Sequence, residues 1–279
     1  MPAPKISIVI PCYNQGHFIR EAIASAERIP EKELFEIVIV NDGSTDAATI
    51  AEMQALGKEG YHVVSQPNKG LGAARNAGIR VSKGEYILPL DSDNRIRPEY
   101  VYEGIRVLDS DPSVTVVYGD AEYFGDKTGR WENGPFNLQR QLLRNYIDAC
   151  AVYRRSAWER LGGYDEKMPV MGFEDWDFWL RIAFAGGRFF YVPKQLFDYR
   201  FAESSMLRKV DKEKYVKLYA YMNEKHNGFL DQEHLNEVAN YNLLAQKRSV
   251  AMHMLFASIF PGLYRYLLKR GRIRKKKLI

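Results

Sequence analysis

Two carboxylates, Asp91 and Asp93, follow the apolar run Tyr86–Leu90 and are separated by a single serine. Side chains two residues apart at the end of a strand can face the same side, where their oxygens suit a hard divalent cation such as Mn²⁺ or Mg²⁺. Such a cation can bridge a diphosphate and offset the charge that develops when the diphosphate leaves. Because Asp and Ser are also common in surface turns, this motif alone leaves both interpretations open.

A second pair of acids, Glu174 and Asp175, begins a segment whose apolar residues repeat at helical spacing. These acids can simply stabilise the first helical turn, because carboxylates interact favourably with the positive end of the helix dipole. They can also do chemistry, because an attacking hydroxyl needs a carboxylate to take its proton. The start of a helix would hold such a base rigidly.

The elements that must position these acids alternate between short apolar runs and helical patterns through the first two hundred residues. This alternation is typical of a mostly parallel, Rossmann-like α/β sheet flanked by helices. The predicted strands are 6–10, 36–40, 61–65, 86–90, 114–118, 149–153 and 189–192, and the predicted helices are 17–28, 45 or 46 to 57, 71–81 and 174–185. Pro89 cannot donate to a strand ladder, so we expect a strand end or an irregular pairing there.

Polar clusters follow three of these strands, at Asn14, at Asp42–Ser44 and at Asp91–Asp93. Ligands of open α/β sheets bind at the carboxyl ends of the strands, so three clusters on one rim predict a pocket. The sequence lacks a P-loop and any His-rich or Cys-rich metal spacing. The run Gly70–Arg75 resembles a dinucleotide fingerprint only weakly, and we favour a helix-opening turn whose Lys69 and Arg75 face phosphates.

Composition narrows the class of protein. The chain has 279 residues and only two cysteines, Cys12 and Cys150, which suits a reducing compartment and excludes a disulfide framework. No secretory signal and no membrane span is apparent, so we expect a cytoplasmic location. The net charge of +5 comes from eight Lys and Arg between positions 265 and 277, and the rest carries −3. A mildly acidic body argues against a nucleic-acid partner.

Six short motifs occur in one order along the chain, and together they resemble the family 2 inverting glycosyltransferases of the GT-A fold over roughly residues 4–206. The motifs are Pro11–Asn14, Asn41–Asp46, Asn68–Gly70 with Ala74–Asn76, Asp91–Asp93, Gly172–Asp177 and Tyr199–Arg200. The resemblance implies an enzyme that moves a sugar from a nucleotide diphosphate, with inversion, and that needs a divalent cation.

The resemblance also implies roles for individual residues. Asp175 would be the general base with Glu174 supporting it, and Asp93, with Asp91, would ligate the cation. The implied nucleotide-binding residues are Pro11, Tyr13, Asn14, Asp42, Lys69, Arg75, Asp91, Ser92 and Arg200. Among them, Tyr13 would stack on the base, and Asp42 would accept a hydrogen bond from it, which favours uracil and hence a UDP-sugar donor.

The chain departs from the family pattern at two places. Asn41 replaces the first acid of the usual Asp-Asp-Gly-Ser, and the His that many relatives carry after Tyr-Arg is absent. Ser204 or Ser205 would have to substitute for that His. Two other functions remain open at this stage: a nucleotide-sugar-binding or scaffolding relative with weak catalysis, and a sugar nucleotidyltransferase.

We predict a catalytic domain at residues 1–206 and a helical extension at 207–279 that ends in the basic tail. An apolar segment, 252–268, followed by eight cations would bind an anionic membrane surface as an interfacial helix. Equally, it can be a helix packed on the protein with a free basic end. A membrane location would suit a glycan or lipid-linked acceptor in cell-surface polysaccharide or glycolipid synthesis.

Overall fold

The computed structural model describes residues 3–203, 205 and 210–226. Within these residues the strands are β1 (Ile6–Cys12), β2 (Phe35–Asp42), β3 (His62–Gln66), β4 (Tyr86–Pro89), β5 (Arg95–Ile96), β6 (Val114–Gly125), β7 (Gly129–Trp131), β8 (Val152–Arg154) and β9 (Arg188–Phe201). The helices are α1 (Gly16–Ala26), α2 (Ala47–Lys58), α3 (Leu71–Val81), α4 (Pro98–Ser110), α5 (Leu138–Leu143), α6 (Arg155–Leu161), α7 (Glu174–Phe184) and α8 (Lys212–Lys225). A single 3-10 turn, Lys32–Leu34, precedes β2.

All nine strands form one sheet in the order β3-β2-β1-β4-β8-β6-β9-β5, with β7 paired to the far end of β6. The first four strands of this order are mutually parallel. Strand β8 is antiparallel to both of its neighbours, β9 runs parallel to β6, and β5 is antiparallel to β9. The predicted α/β sheet flanked by helices is therefore confirmed, and the sheet is parallel on one side and mixed on the other.

Helices cover both faces of the sheet, because its central strands are apolar on both sides. Every residue of β1 is buried. Ile6, Ile8 and Ile10 pack with residues of α1, α2 and α4, whereas Val9 packs on the other face with residues of α3 and α7. This alternation follows from the two-residue period of a strand. The core is thus two apolar layers, one on each face.

Several local predictions match the structure residue by residue. Helix α3 has the predicted bounds, 71–81. Asp46 caps α2, because its carboxylate accepts a hydrogen bond of 2.7 Å from the Thr49 amide. Pro89 is the last residue of β4, which agrees with its inability to donate to a ladder.

The predictions are less accurate beyond Asp93. Strand β6 continues past residue 118 to Gly125, and β9 begins before residue 189 and continues past 192, because the two strands pair along most of their length. The strand predicted at 149–153 is observed at 152–154. Helix α4 was not predicted, although Pro98 at its first turn is a start signal.

The chain divides into two compact units, residues 1–207 and 208–279. The first contains the sheet. In the described part of the second, Asp211 caps α8 by accepting a hydrogen bond of 2.9 Å from the Lys214 amide. The predicted boundary between a catalytic domain and a helical extension stays a prediction, and the basic tail and Ser204 lie outside the described residues.

Candidate active site

The loop after β1 is tied to the loop after β2 by the side chain of Asn14. Its Oδ1 accepts hydrogen bonds from the amides of Thr45 and Asp46 at 2.8 and 2.9 Å, and its Nδ2 donates to the Thr45 hydroxyl at 3.1 Å. Asn14 has a φ of +55°, a left-handed conformation that Asn tolerates better than most residues. Its side chain therefore has an observed structural role, and direct contact with the nucleotide stays a prediction.

The neighbouring positions of this loop differ in exposure. Tyr13 is 45% exposed, so its ring is accessible for stacking. Pro11 is buried within β1 and is aligned with Val40 of β2, so it shapes the strand end from which the loop leaves. The contacts of both residues with a nucleotide stay predictions.

Asp42, at the end of β2, organises the loop that leads into α3. One carboxylate oxygen accepts hydrogen bonds from the Lys69 amide at 3.0 Å and the Gln66 side chain at 2.7 Å, and the other accepts from the Gly70 amide at 3.0 Å. Asp42 is only 3% exposed, whereas the Lys69 side chain is exposed. The Asp42 carboxylate therefore already holds the adjoining loop. Its contact with the nucleobase stays a prediction.

The turn Asp91–Asp93 lies against the loop after β1. The buried Ser92 hydroxyl donates to Gln15 Oε1 at 2.8 Å, so this serine fixes the turn, and its nucleotide contact stays a prediction. Burial and the nearby charge of Asp91 raise the pKa of Asp93 to about 6, because both disfavour its ionised form.

Arg200, near the end of β9, lies beside this turn. Its Nε donates to the carbonyl oxygen of Asp93 at 3.0 Å, and its guanidinium is placed 4.2 Å from the centre of the Phe18 ring and 4.3 Å from that of Phe124. Its terminal Nη2 forms an ion pair with the Glu21 carboxylate. The positively charged Arg200 side chain is therefore held next to the acidic turn, and its predicted contact with a diphosphate stays a prediction. The Ser205 amide donates to the Ala202 carbonyl at 3.1 Å, and the substitution of Ser205 for the missing His also stays a prediction.

Arg75 connects the two pairs of acids. Its guanidinium is 2% exposed and donates to Asp91 Oδ1 and to Glu174 Oε1, both at 2.7 Å. The other oxygen of Glu174 accepts from the Gly172 amide at 2.9 Å, which fixes the loop before α7. The sequence placed Arg75 near phosphates, whereas in the structure its terminal nitrogens hold carboxylates from distant parts of the chain. Its observed role is to join them, and a phosphate contact stays a prediction.

Asp175 lies at the start of α7 and is 6% exposed. One oxygen accepts from the Trp176 amide at 2.9 Å, and the other accepts from Asn145 Nδ2 at 2.8 Å. Burial and the adjacent Glu174 charge raise the pKa of Asp175 to about 8, although Arg75 and the Asn145 hydrogen bond act in the opposite direction. A carboxyl group with such a pKa can exchange a proton near neutral pH.

Sequence reasoning missed two residues of this site, Asn145 and Asp148. Asp148 is half-buried, and its Oδ1 accepts from the Cys150 amide at 2.9 Å. Burial and, to a smaller extent, the charges of Asp91 and Asp93 raise its pKa to about 7. The charge of Asp148 in turn raises the pKa of Asp175, so Asp148 interacts electrostatically with acids of both predicted pairs. The signal was weak, because both residues occur where the strand and helix patterns become irregular.

The donor set near Asp91 and Asp93 fits a divalent cation that shares its coordination with a substrate. Both side chains offer carboxylate oxygens, and one oxygen of Asp91 is engaged by Arg75. In the described part of the chain, no group of three or more His, Cys, Asp or Glu side chains is arranged to hold a metal ion. Cations that bind phosphates commonly use only one or two protein carboxylates, so the two acids suffice when a diphosphate supplies the rest.

The described helices also bear on membrane insertion. None of them combines the length and the apolar character needed to cross a bilayer.

Comparison with known proteins gives the family. The family description "Glycosyl transferase family 2" matches residues 7–162, and "Glycosyl transferase family group 2" matches residues 86–272. EpsH of Bacillus subtilis, whose name assigns it to the glycosyltransferases, is 32% identical over 230 residues, which cover 76% of this chain and 65% of EpsH. The chondroitin synthase of Pasteurella multocida is 28% identical over 188 residues, which cover 66% of this chain and 19% of the synthase. The chain thus spans less than two thirds of the length of these relatives.

Solved structures share the fold. Staphylococcus aureus TarS 1-349 in complex with UDP-GlcNAc superposes with a TM-score of 0.66 at 20% identity, over 86% of this chain and 72% of that one. The mannosyltransferase PcManGT of Pyrobaculum calidifontis, in complex with GDP-Man and Mn²⁺, gives 0.62 at 16% identity, over 97% and 80%. The ordered motifs, the sheet and the family match agree. The chain belongs to glycosyl transferase family 2.

Proposed function

We propose that the chain is an inverting glycosyltransferase that moves a sugar from a nucleotide diphosphate donor, of the UDP-sugar type, onto a hydroxyl of a glycan or lipid-linked acceptor. One observation carries this proposal: acids that are more than eighty residues apart in sequence converge around the buried Arg75 guanidinium. Asp91 follows a strand of the parallel side and is two residues from Asp93, and Glu174 begins α7 and is next to Asp175.

The two pairs differ in what they can do. Asp91 and Asp93 lie at the carboxyl end of a parallel strand, beside the loops that follow β1 and β2, where open α/β sheets bind nucleotides. Asp175 begins a buried helix and is held by hydrogen bonds on both oxygens. The first pair suits the diphosphate end of a donor, and the second suits an incoming hydroxyl.

Transfer in this arrangement is a single in-line displacement. The acceptor hydroxyl attacks the anomeric carbon while Asp175 takes its proton, and the bond from that carbon to the diphosphate oxygen breaks. One such displacement inverts the configuration of the anomeric carbon. Arg75 and Glu174 do not take part directly, because they pair with each other and Arg75 also pairs with Asp91. Arg200 adds a positive charge beside Asp93, on the side where the diphosphate would leave.

We assign the divalent cation to Asp93 and Asp91. When bound there, it would supply positive charge to the departing diphosphate. The fold neighbour that is described with Mn²⁺ and GDP-Man supports this assignment by analogy only.

Donor and acceptor classes rest on different support. TarS is described in complex with UDP-GlcNAc, and Asp42 is the residue to which the resemblance assigns a hydrogen bond with uracil. The names of the chondroitin and hyaluronan synthases among the relatives support a role in polysaccharide synthesis. We place the enzyme in the cytoplasm, with its basic tail at an anionic membrane surface.

Release of nucleotide tests the proposal. The full chain is incubated with a panel of UDP-sugars and GDP-mannose, with Mn²⁺ or with EDTA. We expect slow release of UDP in Mn²⁺ even without an acceptor, and little release in EDTA. Thermal stabilisation by a nucleotide sugar without any release would instead favour a binding or scaffolding protein. Release of pyrophosphate from a nucleoside triphosphate and a sugar phosphate would favour a nucleotidyltransferase.

Replacement of Asp93 tests the cation assignment. In Asp93→Ala we expect calorimetry to show that Mn²⁺ no longer strengthens donor binding, because one of two protein ligands is gone. Asp109→Ala is a matched control, since it removes a partly exposed acid that pairs with Lys5. Unchanged Mn²⁺-dependent donor binding in Asp93→Ala would contradict the assignment.

A further inference from the structure

A chain of amide side chains leads to Asp175 from the region of α5. Gln141 is fully buried, and its Nε2 donates to Asn145 Oδ1 at 3.1 Å. Asn145 Nδ2 then donates to Asp175 Oδ2 at 2.8 Å. When Asp175 is ionised it can only accept, so Asn145 must donate through Nδ2, which leaves its Oδ1 to accept from Gln141.

The same segment also holds the residue that follows Asp175. The indole Nε1 of Trp176 donates to the backbone carbonyl of Gln141 at 2.5 Å, and Trp176 is 1% exposed. Two consecutive residues at the start of α7 are therefore attached to the segment that includes α5 and Asn145. This geometry orients the Asp175 carboxylate from a part of the chain that is remote from its own helix.

The resemblance to the family did not assign any role to Asn145. Glu174, which it named as the supporting residue, instead uses its oxygens on Arg75 and on the Gly172 amide. Of these two neighbours, Asn145 is the one that donates a hydrogen bond to Asp175. The contact that supports the base therefore comes from Asn145.

From this geometry we propose that Asn145 is the positioning residue for the general base: it donates to Asp175, holds one carboxylate oxygen and leaves the ionised carboxylate aimed at the acceptor hydroxyl. This inference rests on the proposed function. Asn145 itself does not touch the reacting atoms, so it acts only through Asp175 in the same sugar-transfer reaction.

Several charged or titratable groups surround Asp175 and set its ionisation. Glu174 lies on its own helix, Arg75 comes from α3, Tyr164 from the loop before α7, and Asp148 from the loop after α5. Asn145 stabilises the ionised carboxylate, whereas burial, Glu174 and Asp148 oppose it. Loss of the Asn145 hydrogen bond must therefore raise the pKa of Asp175 further.

Asn145→Asp is the sharpest test, because the two side chains have nearly the same shape. The new carboxylate can still accept from Gln141, but it cannot donate to Asp175 when ionised, and its charge repels that of Asp175. We expect the rising limb of the kcat–pH profile to move upward by about one unit, with about a tenfold loss of kcat at neutral pH. The donor KM should stay close to that of the unmodified protein.

Asn137→Ala is a matched control on the same segment. Asn137 caps α5 by accepting from the Arg140 amide at 2.9 Å, so its loss weakens the helix without removing the hydrogen bond to Asp175. We expect a lower melting temperature and an unmoved pH profile. If Asn145→Asp gives the same result as this control, Asn145 has only a structural role and the inference is wrong.

The outcomes also separate this inference from the proposed function. If Asp175→Asn loses turnover while Asn145→Asp keeps the original pH profile, the assignment of Asp175 as the base is supported and only the positioning role of Asn145 is wrong. If Asp175→Asn keeps its turnover, the base assignment fails first, and the inference fails with it.

Discussion

The two sides of the sheet contribute to the site in different ways. On the parallel side, Asp42 ends β2 and Asp91 follows β4 by two residues. On the mixed side, Asn145 and Asp148 lie in irregular chain between α5 and β8, and Asp175 begins a helix that follows a long loop. On the parallel side the sheet topology brings the loops together and local hydrogen bonds then fix them, whereas the mixed side depends on side-chain contacts between distant irregular segments.

Arg75 lies where the two sides meet, so its replacement has the largest expected effect on stability. In Arg75→Met, Asp91 and Glu174 lose the guanidinium that they share. Glu174 is then a buried charge whose remaining hydrogen bond comes from the Gly172 amide. We expect the free energy of unfolding to fall by about 3–5 kcal/mol, as for other broken buried ion pairs. Denaturant unfolding measures this change.

Arg80→Met is the control for Arg75, because it lies on the same helix. Its pair with Glu166 is exposed, so we expect a loss of at most about 1 kcal/mol. Equal losses of unfolding free energy in the two variants would mean that the contact between the two sides of the sheet does not depend on Arg75.

Gly43→Ala tests the parallel side by itself. Gly43 has a φ of +67°, and a Cβ there would lie 2.4 Å from the Asn68 amide nitrogen. The loops after β2 and β3 could then no longer approach as they do, and we expect a destabilisation of about 2–4 kcal/mol with weaker donor binding. Gly57→Ala, in α2 with open space around it, should instead stabilise the protein by about 0.5–1 kcal/mol. A neutral Gly43→Ala would contradict the close packing of these loops.

The pH dependence of turnover tests the mixed side. The pKa of Asp175 is raised to about 8, so below that pH most molecules carry a protonated base that cannot accept a proton. We therefore expect kcat to rise with pH, by about tenfold per unit, until it levels off near pH 8. Steady-state rates at saturating donor, acceptor and Mn²⁺ give the profile. A kcat that stays flat from pH 6 to 9 would show that a group other than Asp175 limits proton transfer.

The contrast between the two sides also explains what could be predicted from the sequence. Helix α3 and the Asp46 cap depend on local signals, namely a glycine before the helix, an apolar repeat and a short polar side chain at the right position. The full length of β6 and β9 depends on their pairing with each other, which is not local. Asn145 became visible only when the fold brought it next to Asp175, thirty residues away.

The candidate site shows the same division. Sequence reasoning found both pairs of acids, and in the fold one acid of each pair, Asp91 and Glu174, contacts the Arg75 guanidinium. It did not predict that the side chains of Asn14, Ser92 and Arg75 would form hydrogen bonds with other parts of the protein. The reason is physical: a motif gives residue type and order, whereas the partner of a polar group depends on which loops the fold brings together.

Turnover and donor affinity of Asp175→Asn, measured on the same preparation, test the central claim most directly. Asn keeps the shape of the side chain and removes its basicity. We predict that kcat falls by about two to four orders of magnitude, while calorimetry gives nearly the same donor affinity in Mn²⁺. A variant that transfers sugar at close to the original rate would contradict the account, because Asp175 would then not be the general base.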